Sequence, residues 1–146
     1  MQIIPAINCE DFECVKAKLQ KAADFLPAGG WVQLDIADGK FTKHKTWNSP
    51  LALSSLISHL SSLNIEVHLM VENPLEMIND WVEAGVKRII VHLEAFAVEQ
   101  SDFLKLRNRR EAGLPKVEIG LAINPKTSVK KVIPYISANQ QKIGVT

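Results

Sequence analysis

Apolar positions along this chain follow two alternating rhythms. Short runs with a period of two give way to longer stretches with a period near 3.6, the marks of strand and helix. IIPAIN (3–8) predicts a first strand. In EDFECVKAKLQKAADFL (10–26), Phe12, Val15, Leu19, Ala22, Ala23 and Leu26 recur at helical spacing. WVQLDI (31–36) predicts a second strand, and SPLALSSLISHLSSL (49–63) a second helix with Ser49 as cap and Pro50 behind it. IEVHLMV (65–71) predicts a third strand. NPLEMINDWVEAG (73–85) predicts a third helix, capped by Asn73, with Pro74 in its first turn and Gly85 at its stop. KRIIVHLE (87–94) is a fourth strand, followed by a helix within 97–112 that ends at Gly113. KVEIGLAIN (116–124) is a fifth strand, TSVKKVIPYI (127–136) a short helix broken near Pro134, and KIGVT (142–146) the start of a sixth strand.

Strict alternation of strand and helix with short connections predicts parallel βαβ units, in either a doubly wound sheet or a barrel. No GxGxxG follows the first strand and no GxxxxGK[ST] occurs, so the two commonest nucleotide-binding versions lose support. About five and a half βα units are visible, whereas a complete (β/α)8 barrel needs about 200 residues or more. The chain also ends inside an apolar run. The expectation is a single α/β domain, 1–146, that forms the front part of a larger TIM-type barrel.

Alternation along a strand puts residues i and i+2 on one face. Val32, Leu34 and Ile36 make an apolar face for covering helices, which leaves Gln33 and Asp35 together on the other. Ile65, Val67 and Leu69 do the same in the third strand and leave Glu66, His68 and Met70 opposite. In the fourth, Ile90, His92 and Glu94 oppose Ile89, Val91 and Leu93. In a barrel these polar groups lie inside, toward the C-terminal strand ends where βα loops gather and chemistry is placed. Asp35 and His68 can offer an oxygen and an imidazole nitrogen to one divalent metal, and such a carboxylate can also accept a proton from carbon. Each residue has a plainer reading: Asp35 as a hydrogen-bonded strand carboxylate, His68 as a satisfied core histidine, Met70 as core. For His92 and Glu94 a structural hydrogen-bonded pair is the preferred reading. Lys40, Lys43, His44 and Lys45 could draw a phosphorylated substrate to the rim, but a solvated loop is preferred. LKLRNRREAG (104–113) reads as the charged outer face of a helix, and Trp31, Trp47 and Trp81 as packing.

Composition narrows the setting. With 47% hydrophobic and 23% charged residues the chain can build a core, which argues against disorder. A net charge of +1 gives no electrostatic case for nucleic acid or an acidic membrane surface. Cys9 and Cys14 form neither a CxxC pair nor a disulfide framework, which favours a reducing compartment. MQIIPAINCEDF lacks the basic start of a signal peptide, and no apolar run approaches the ~18 to 20 residues of a membrane span. A cytoplasmic protein is expected.

The order IIPAINCEDF, VQLDIADGKF, EVHLMVENP, AGVKRIIVHLEA and GLAINPKTSV resembles the ribulose-phosphate 3-epimerases, ribulose-phosphate-binding βα-barrels. LDxxDGxF followed by VHLMVxxP at this spacing is the specific part. The resemblance implies interconversion of ribulose 5-phosphate and xylulose 5-phosphate by inversion at carbon 3. One carboxylate removes the proton, a second returns it on the opposite face, and a divalent metal (Zn, Fe, Mn or Co) steadies the enediolate. It implies that Asp35 is an acid/base carboxylate and metal ligand, that His68 is a metal ligand beside the substrate, and that Met70 lines the site. Several positions depart from the family pattern. Gln33 stands where a histidine ligand is usual, Ala6 where a substrate-contacting serine is usual, Ala37 where methionine is usual, and Lys126 where glycine is frequent. An amide oxygen is a poorer ligand than imidazole for zinc-like metals, so affinity should fall or the preferred metal change. The second carboxylate and the glycine-rich phosphate loops belong to strands six to eight of the family, past Thr146. Two other readings stand beside the epimerase: a divergent sugar-phosphate-binding barrel with lost or altered activity, and a non-catalytic partial-barrel assembly module whose open strand edges pair with another chain. A homo-oligomer is compatible with each. A decarboxylase-type relative is disfavoured, because its lysine two residues after the second-strand aspartate is here Ala37.

Overall fold

The computed structural model describes residues 2–96 and 117–135. Its strands are β1 (Ala6–Ile7), β2 (Gly30–Ala37), β3 (Leu63–Met70), β4 (Arg88–His92) and β5 (Glu118–Ala122). Between them lie α1 (Phe12–Phe25), α2 (Pro50–Ile57) and α3 (Pro74–Glu83). All five strands are parallel and stand in the sheet in chain order. That order chooses between the two architectures the sequence allows. A doubly wound sheet reverses its strand order partway, whereas a barrel adds each strand beside the last. The sheet is therefore a five-stranded arc of a (β/α)8-type barrel. Among the described residues no helix is long and apolar enough to cross a membrane.

The two faces of the arc divide as the alternation requires. Val32, Leu34, Ile36, Ile65, Val67, Leu69, Ile89 and Val91 are all buried on the face that the helices cover. Against them α1 sets Val15, Leu19 and Ala22, α2 sets Leu53, and α3 sets Ile78, Trp81 and Val82. The packing role read for the tryptophans holds. Trp81 is fully buried, Trp47 stacks on Phe12 at 5.3 Å, and Trp31 lies beneath the Arg88 guanidinium at 4.0 Å.

Helix ends follow local chemistry. Asp11 caps α1 by accepting from the Cys14 N–H at 2.8 Å, and Ser49 caps α2 with Pro50 at the first helical position. Here α2 stops at Ile57 rather than 63: the hydroxyls of Ser54, Ser55 and Ser58 donate to carbonyls three residues back, competing with the helix ladder. Correspondingly, β3 begins at Leu63, two residues sooner than the pattern suggested. Asn73 takes the N-cap position of α3 but makes no side-chain cap bond there, correcting that part of the expectation. Gly85, at φ +95°, ends α3 in the left-handed region as expected.

Other expectations are also corrected. The first strand pairs only over Ala6–Ile7, since Pro5 has no N–H to donate and contributes only its carbonyl, which accepts from Gln33 N–H at 2.9 Å. Instead of running through Glu94, β4 ends at His92 and Leu93–Ala95 form a 3-10 turn, so Glu94 is not a strand residue. A 3-10 turn over Val129–Lys131 opens the segment expected to be a short helix. Cys9 and Cys14 form a disulfide, against the reading of two unpaired thiols. The turn into α1 folds the chain back so that their Cα atoms lie 5.9 Å apart, within bridging range. Cysteine usage therefore gives no support for a reducing compartment. The expected helix within 97–112, with its charged face, and the sixth strand at 142–146 lie outside the described residues.

Candidate active site

The inner face of the arc carries the polar residues, gathered toward the C-terminal ends of β2, β3 and β4. In the β2–β3 register Asp35 is the partner of His68 and Ala37 of Met70; between β1 and β2, Ala6 is the partner of Gln33. These alignments bring Gln33, Asp35 and His68 into direct contact. The Gln33 amide donates to Asp35 Oδ1 at 2.7 Å, and His68 Nδ1 lies 3.4 Å from the same oxygen. Met70 is half-buried at the strand end, and Ala6 leaves an exposed methyl where a hydroxyl would be usual.

Beyond His68 the contacts continue across the sheet. His68 Nε2 lies 2.9 Å from His92 Nε2, with the two rings inclined by 21°. His92 Nδ1 is 3.5 Å from Glu94 Oε2, and Glu94 Oε1 accepts from the Asn124 N–H at 2.8 Å beyond β5. The Phe41 ring covers His92, centre to centre 4.9 Å. Four side chains from β2, β3, β4 and the following turn thus form one line, Asp35–His68–His92–Glu94. The expected His92–Glu94 pair is adjacent in space, but at 3.5 Å His92 Nδ1 makes no hydrogen bond there.

Electrostatics differ along this line. Burial pushes the Asp35 carboxyl up, but the hydrogen bonds from His68 and Gln33, with the charge of His68, outweigh it and hold the group below the ordinary carboxylate value. Burial pushes the His92 imidazole down, and His68 beside it adds to that, so its pKa lies below the ordinary imidazole value despite the opposing pull of Glu94. Glu94 ends up lowered: its burial is outweighed by bonds from Thr127 and the Asn124 backbone.

Two residues that support the site were not singled out by sequence reasoning. Thr46, buried in the loop after β2, donates to the Asp35 carbonyl and accepts from the Ala37 N–H, both at 2.8 Å. This hydroxyl fixes the backbone on either side of Ile36, and nothing in the local sequence announces it. Asp38 accepts from the N–H groups of Lys40 and Phe41 through Oδ1 and of Glu72 through Oδ2. It so ties the loop after β2 to the loop after β3. Its Asp-Gly context was a readable turn signal. The lysine-rich rim is a solvated loop: Lys40 reaches Glu72 only at 4.0 Å with both exposed, and His44 Nε2 meets Asn8 Oδ1 at 3.1 Å. A cleft of about 440 Å³ between α2 and α3, lined by Ser49, Leu51, Asp80 and Glu83 among others, opens on the helical side, remote from these groups.

The fit to a divalent metal can be tested on distances. Two ligands about 2.0–2.1 Å from a tetrahedral ion stand roughly 3.3 Å apart, and Asp35 Oδ1 and His68 Nδ1 are separated by 3.4 Å. They suit one edge of such a shell. Among the described residues no group of three His, Cys, Asp or Glu side chains could hold a metal ion, so a third protein donor there would have to be the Gln33 amide.

Comparison with known proteins sets this geometry in a family. Residues 2–143 match the model of the ribulose-phosphate 3-epimerase family. A ribulose-phosphate 3-epimerase from Treponema pallidum is 32% identical over 92% of this chain and 58% of its own length. The Chlamydia pneumoniae protein of that name is 32% identical over 86% of this chain and 51% of its own. A cytoplasmic isoform from Oryza sativa subsp. japonica is 29% identical over 94% and 56%. The chain thus spans about half the length of the curated relatives it matches. With its parallel strands in barrel order and an aspartate and histidine paired on the inner face, the chain belongs to the ribulose-phosphate 3-epimerase family.

Proposed function

We propose that the full-length protein interconverts D-ribulose 5-phosphate and D-xylulose 5-phosphate by proton transfer at carbon 3, with Asp35 as one of the two acid/base groups. The observation that carries this is the position of Asp35. It lies on the inner face near the C-terminal end of β2, ionised at neutral pH and held by Gln33 and His68. A carboxylate so placed can take the C3 proton as the C–H electron pair moves into the adjoining carbonyl to give an enediolate. Returning a proton on the opposite face inverts the centre; the family resemblance assigns that step to a carboxylate of a later strand. Thr46 fixes the backbone that presents Asp35, and Met70 supplies an apolar wall beside the reacting carbon.

Family chemistry calls for a divalent metal, and Asp35 and His68, with Gln33 as a weaker third donor, are the residues of this chain that would hold it. Bound there, the ion would supply positive charge against the oxygens of the enediolate. With an amide in place of an imidazole, affinity for zinc-like ions should be weaker than in a three-imidazole or carboxylate set. The proposal includes a pentose 5-phosphate as substrate, a cytoplasmic location and a homo-oligomer. Neither nucleic acid nor membrane is included as a partner.

A coupled epimerase assay on the full-length protein, with added Zn²⁺, Mn²⁺, Co²⁺ or Fe²⁺, tests the reading. Activity that falls by at least about 100-fold in Asp35→Asn is expected for loss of a general base. Undiminished activity in that variant would remove Asp35 from the chemistry. No activity in the wild type with any of the four metals would favour a barrel that keeps the fold and has lost the reaction.

A further inference from the structure

The disulfide between Cys9 and Cys14 stands where stability gains little from it. It joins residues only five apart, and a cross-link stabilises less the shorter the loop it closes. Hydrogen bonds already hold the same turn. Asp11 Oδ1 accepts from the Cys14 N–H at 2.8 Å, and the Asp11 carbonyl from the Val15 N–H at 3.3 Å. The start of α1 is therefore defined with or without the sulfur bridge. What the bridge adds is a fixed position for Cys9, just past the end of β1.

From Cys9 a short backbone path leads to the candidate site. Its carbonyl accepts from the Trp47 N–H at 2.8 Å. Trp47 follows Thr46, whose hydroxyl donates to the Asp35 carbonyl and accepts from the Ala37 N–H. Two further contacts join the same pair of loops: Asn8 Oδ1 meets His44 Nε2 at 3.1 Å, and the Phe12 ring stacks on Trp47. The loop after β1 thus supports the loop after β2, which in turn fixes the backbone around Ile36. Access to the two sulfur-bearing residues is unequal. Cys9 is buried, whereas Cys14 is half-buried in the first turn of α1.

We propose that Cys9–Cys14 is a reversible redox site for dithiol reductants, and that its oxidation state sets how firmly the Thr46 loop holds the backbone beside Asp35. A thiolate of the reductant attacks the more accessible Cys14 sulfur, the S–S bond breaks, and Cys9 leaves and takes up a proton. The second thiol of the reductant then attacks the mixed disulfide and releases Cys14 as a thiol. Two electrons and two protons pass to the cysteine pair, and the reductant becomes a disulfide. The inference goes beyond the proposed function and depends on neither sugar phosphate nor metal. It also fits the proposed cytoplasmic location, where protein disulfides are mostly transient and redox-sensing.

The test uses the folded full-length protein, treated either with reduced thioredoxin as the dithiol or with oxidised glutathione. Alkylation of free thiols and peptide mass spectrometry should find Cys9 and Cys14 bridged after oxidation and both alkylated after reduction. Amide hydrogen exchange, read by NMR, then compares the two forms. Reduction should speed exchange at Trp47 and Ala37 by about tenfold or more, as for a locally opened loop. Exchange at Val67 and Leu69, within β3, should stay the same. Cys14→Ser cannot form the bridge, so it should exchange like the reduced wild type and show no response to thioredoxin. The two wild-type forms decide the matter by themselves should that variant fold poorly. A purely structural cross-link would resist thioredoxin in the folded protein, or its loss would loosen the whole sheet. Resistance to thioredoxin, no bridge after oxidation, equal exchange at Trp47 and Ala37 in the two forms, or a rise that extends to Val67 and Leu69 would each overturn the proposal.

Discussion

Asp35 stands between opposing influences, and the balance decides what it can do. Burial alone would favour the protonated acid, which could not take a proton from carbon. The amide of Gln33 and the ring of His68 reverse that preference. Because its folded-state pKa is depressed, the ionised base persists below the ordinary carboxylate value of about 3.9. The midpoint of the Asp35 titration, followed by carboxyl-carbon NMR on the metal-free protein, should therefore fall below that value. Replacing Gln33 by Ala, which removes a bond that favours the charged form, should move the midpoint upward; an unmoved midpoint would show that Gln33 does not act on Asp35. The same sign applies to stability: the contribution of Asp35 is present above about pH 3.9 and is lost as pH falls through its lower folded value. Gln33 also bears on metal affinity. Gln33→His should tighten zinc binding, because imidazole is the better donor, and calorimetry showing equal affinities would remove position 33 from the metal's surroundings. Asp35, His68 and Gln33 were legible in the sequence because strand alternation alone places them on one face. Thr46 was not, since its role depends on a loop returning to β2. Glu94 was visible as a neighbour of His92, but its place in a turn rather than a strand was not.

At the scale of elements, the boundaries that matched were those with a covalent or stereochemical cause. Pro50 and Pro74 sit at the first turns of α2 and α3, and Gly85 ends α3. Those that shifted depended on competition. Serine hydroxyls shortened α2, and the missing N–H of Pro5 shortened β1. The disulfide escaped notice because a spacing of five residues says nothing until the α1 cap at Asp11 folds the segment back. Gly85 gives a clean test of the positive-φ stop. A Cβ there would meet only Ile57 methyl carbons at 3.8 Å, an ordinary contact, so the cost of Gly85→Ala should be one of backbone conformation alone. Chemical denaturation should show a loss of about 1–2 kcal/mol; no loss would mean that the turn relaxes to negative φ.

For the whole molecule, the arc separates stability from chemistry along the strand direction. Near the strand starts, Arg88 bridges Glu66 at 2.6 Å and Glu118 at 2.8 Å and lies over Trp31. Glu66 was legible as an inward residue, but its partner was not, because the pairing depends on the register Glu66↔Arg88↔Glu118 across three strands. With Glu66 buried and Arg88 partly exposed, Glu66→Gln should destabilise the fold by up to about 3 kcal/mol, the low end for a broken buried pair. Metal affinity measured on the folded fraction should not change. A matching loss of metal affinity would show that the two ends of the arc are coupled. Near the strand ends, Asp35, His68 and His92 gather where the fold places chemistry. Barrel order itself became certain only from the strand pairing, since alternation of helix and strand serves both parallel architectures.

Asp35 as the group that removes the proton is the centre of this account. Its most direct test is exchange at carbon 3 of D-ribulose 5-phosphate in deuterated water, followed by proton NMR with the metal-supplemented full-length protein. Proton abstraction is then seen even if the second half of the reaction is slow. The account predicts loss of the C3–H signal with the wild type and exchange slowed by at least about 100-fold in Asp35→Asn. Exchange at the wild-type rate in Asp35→Asn would contradict it.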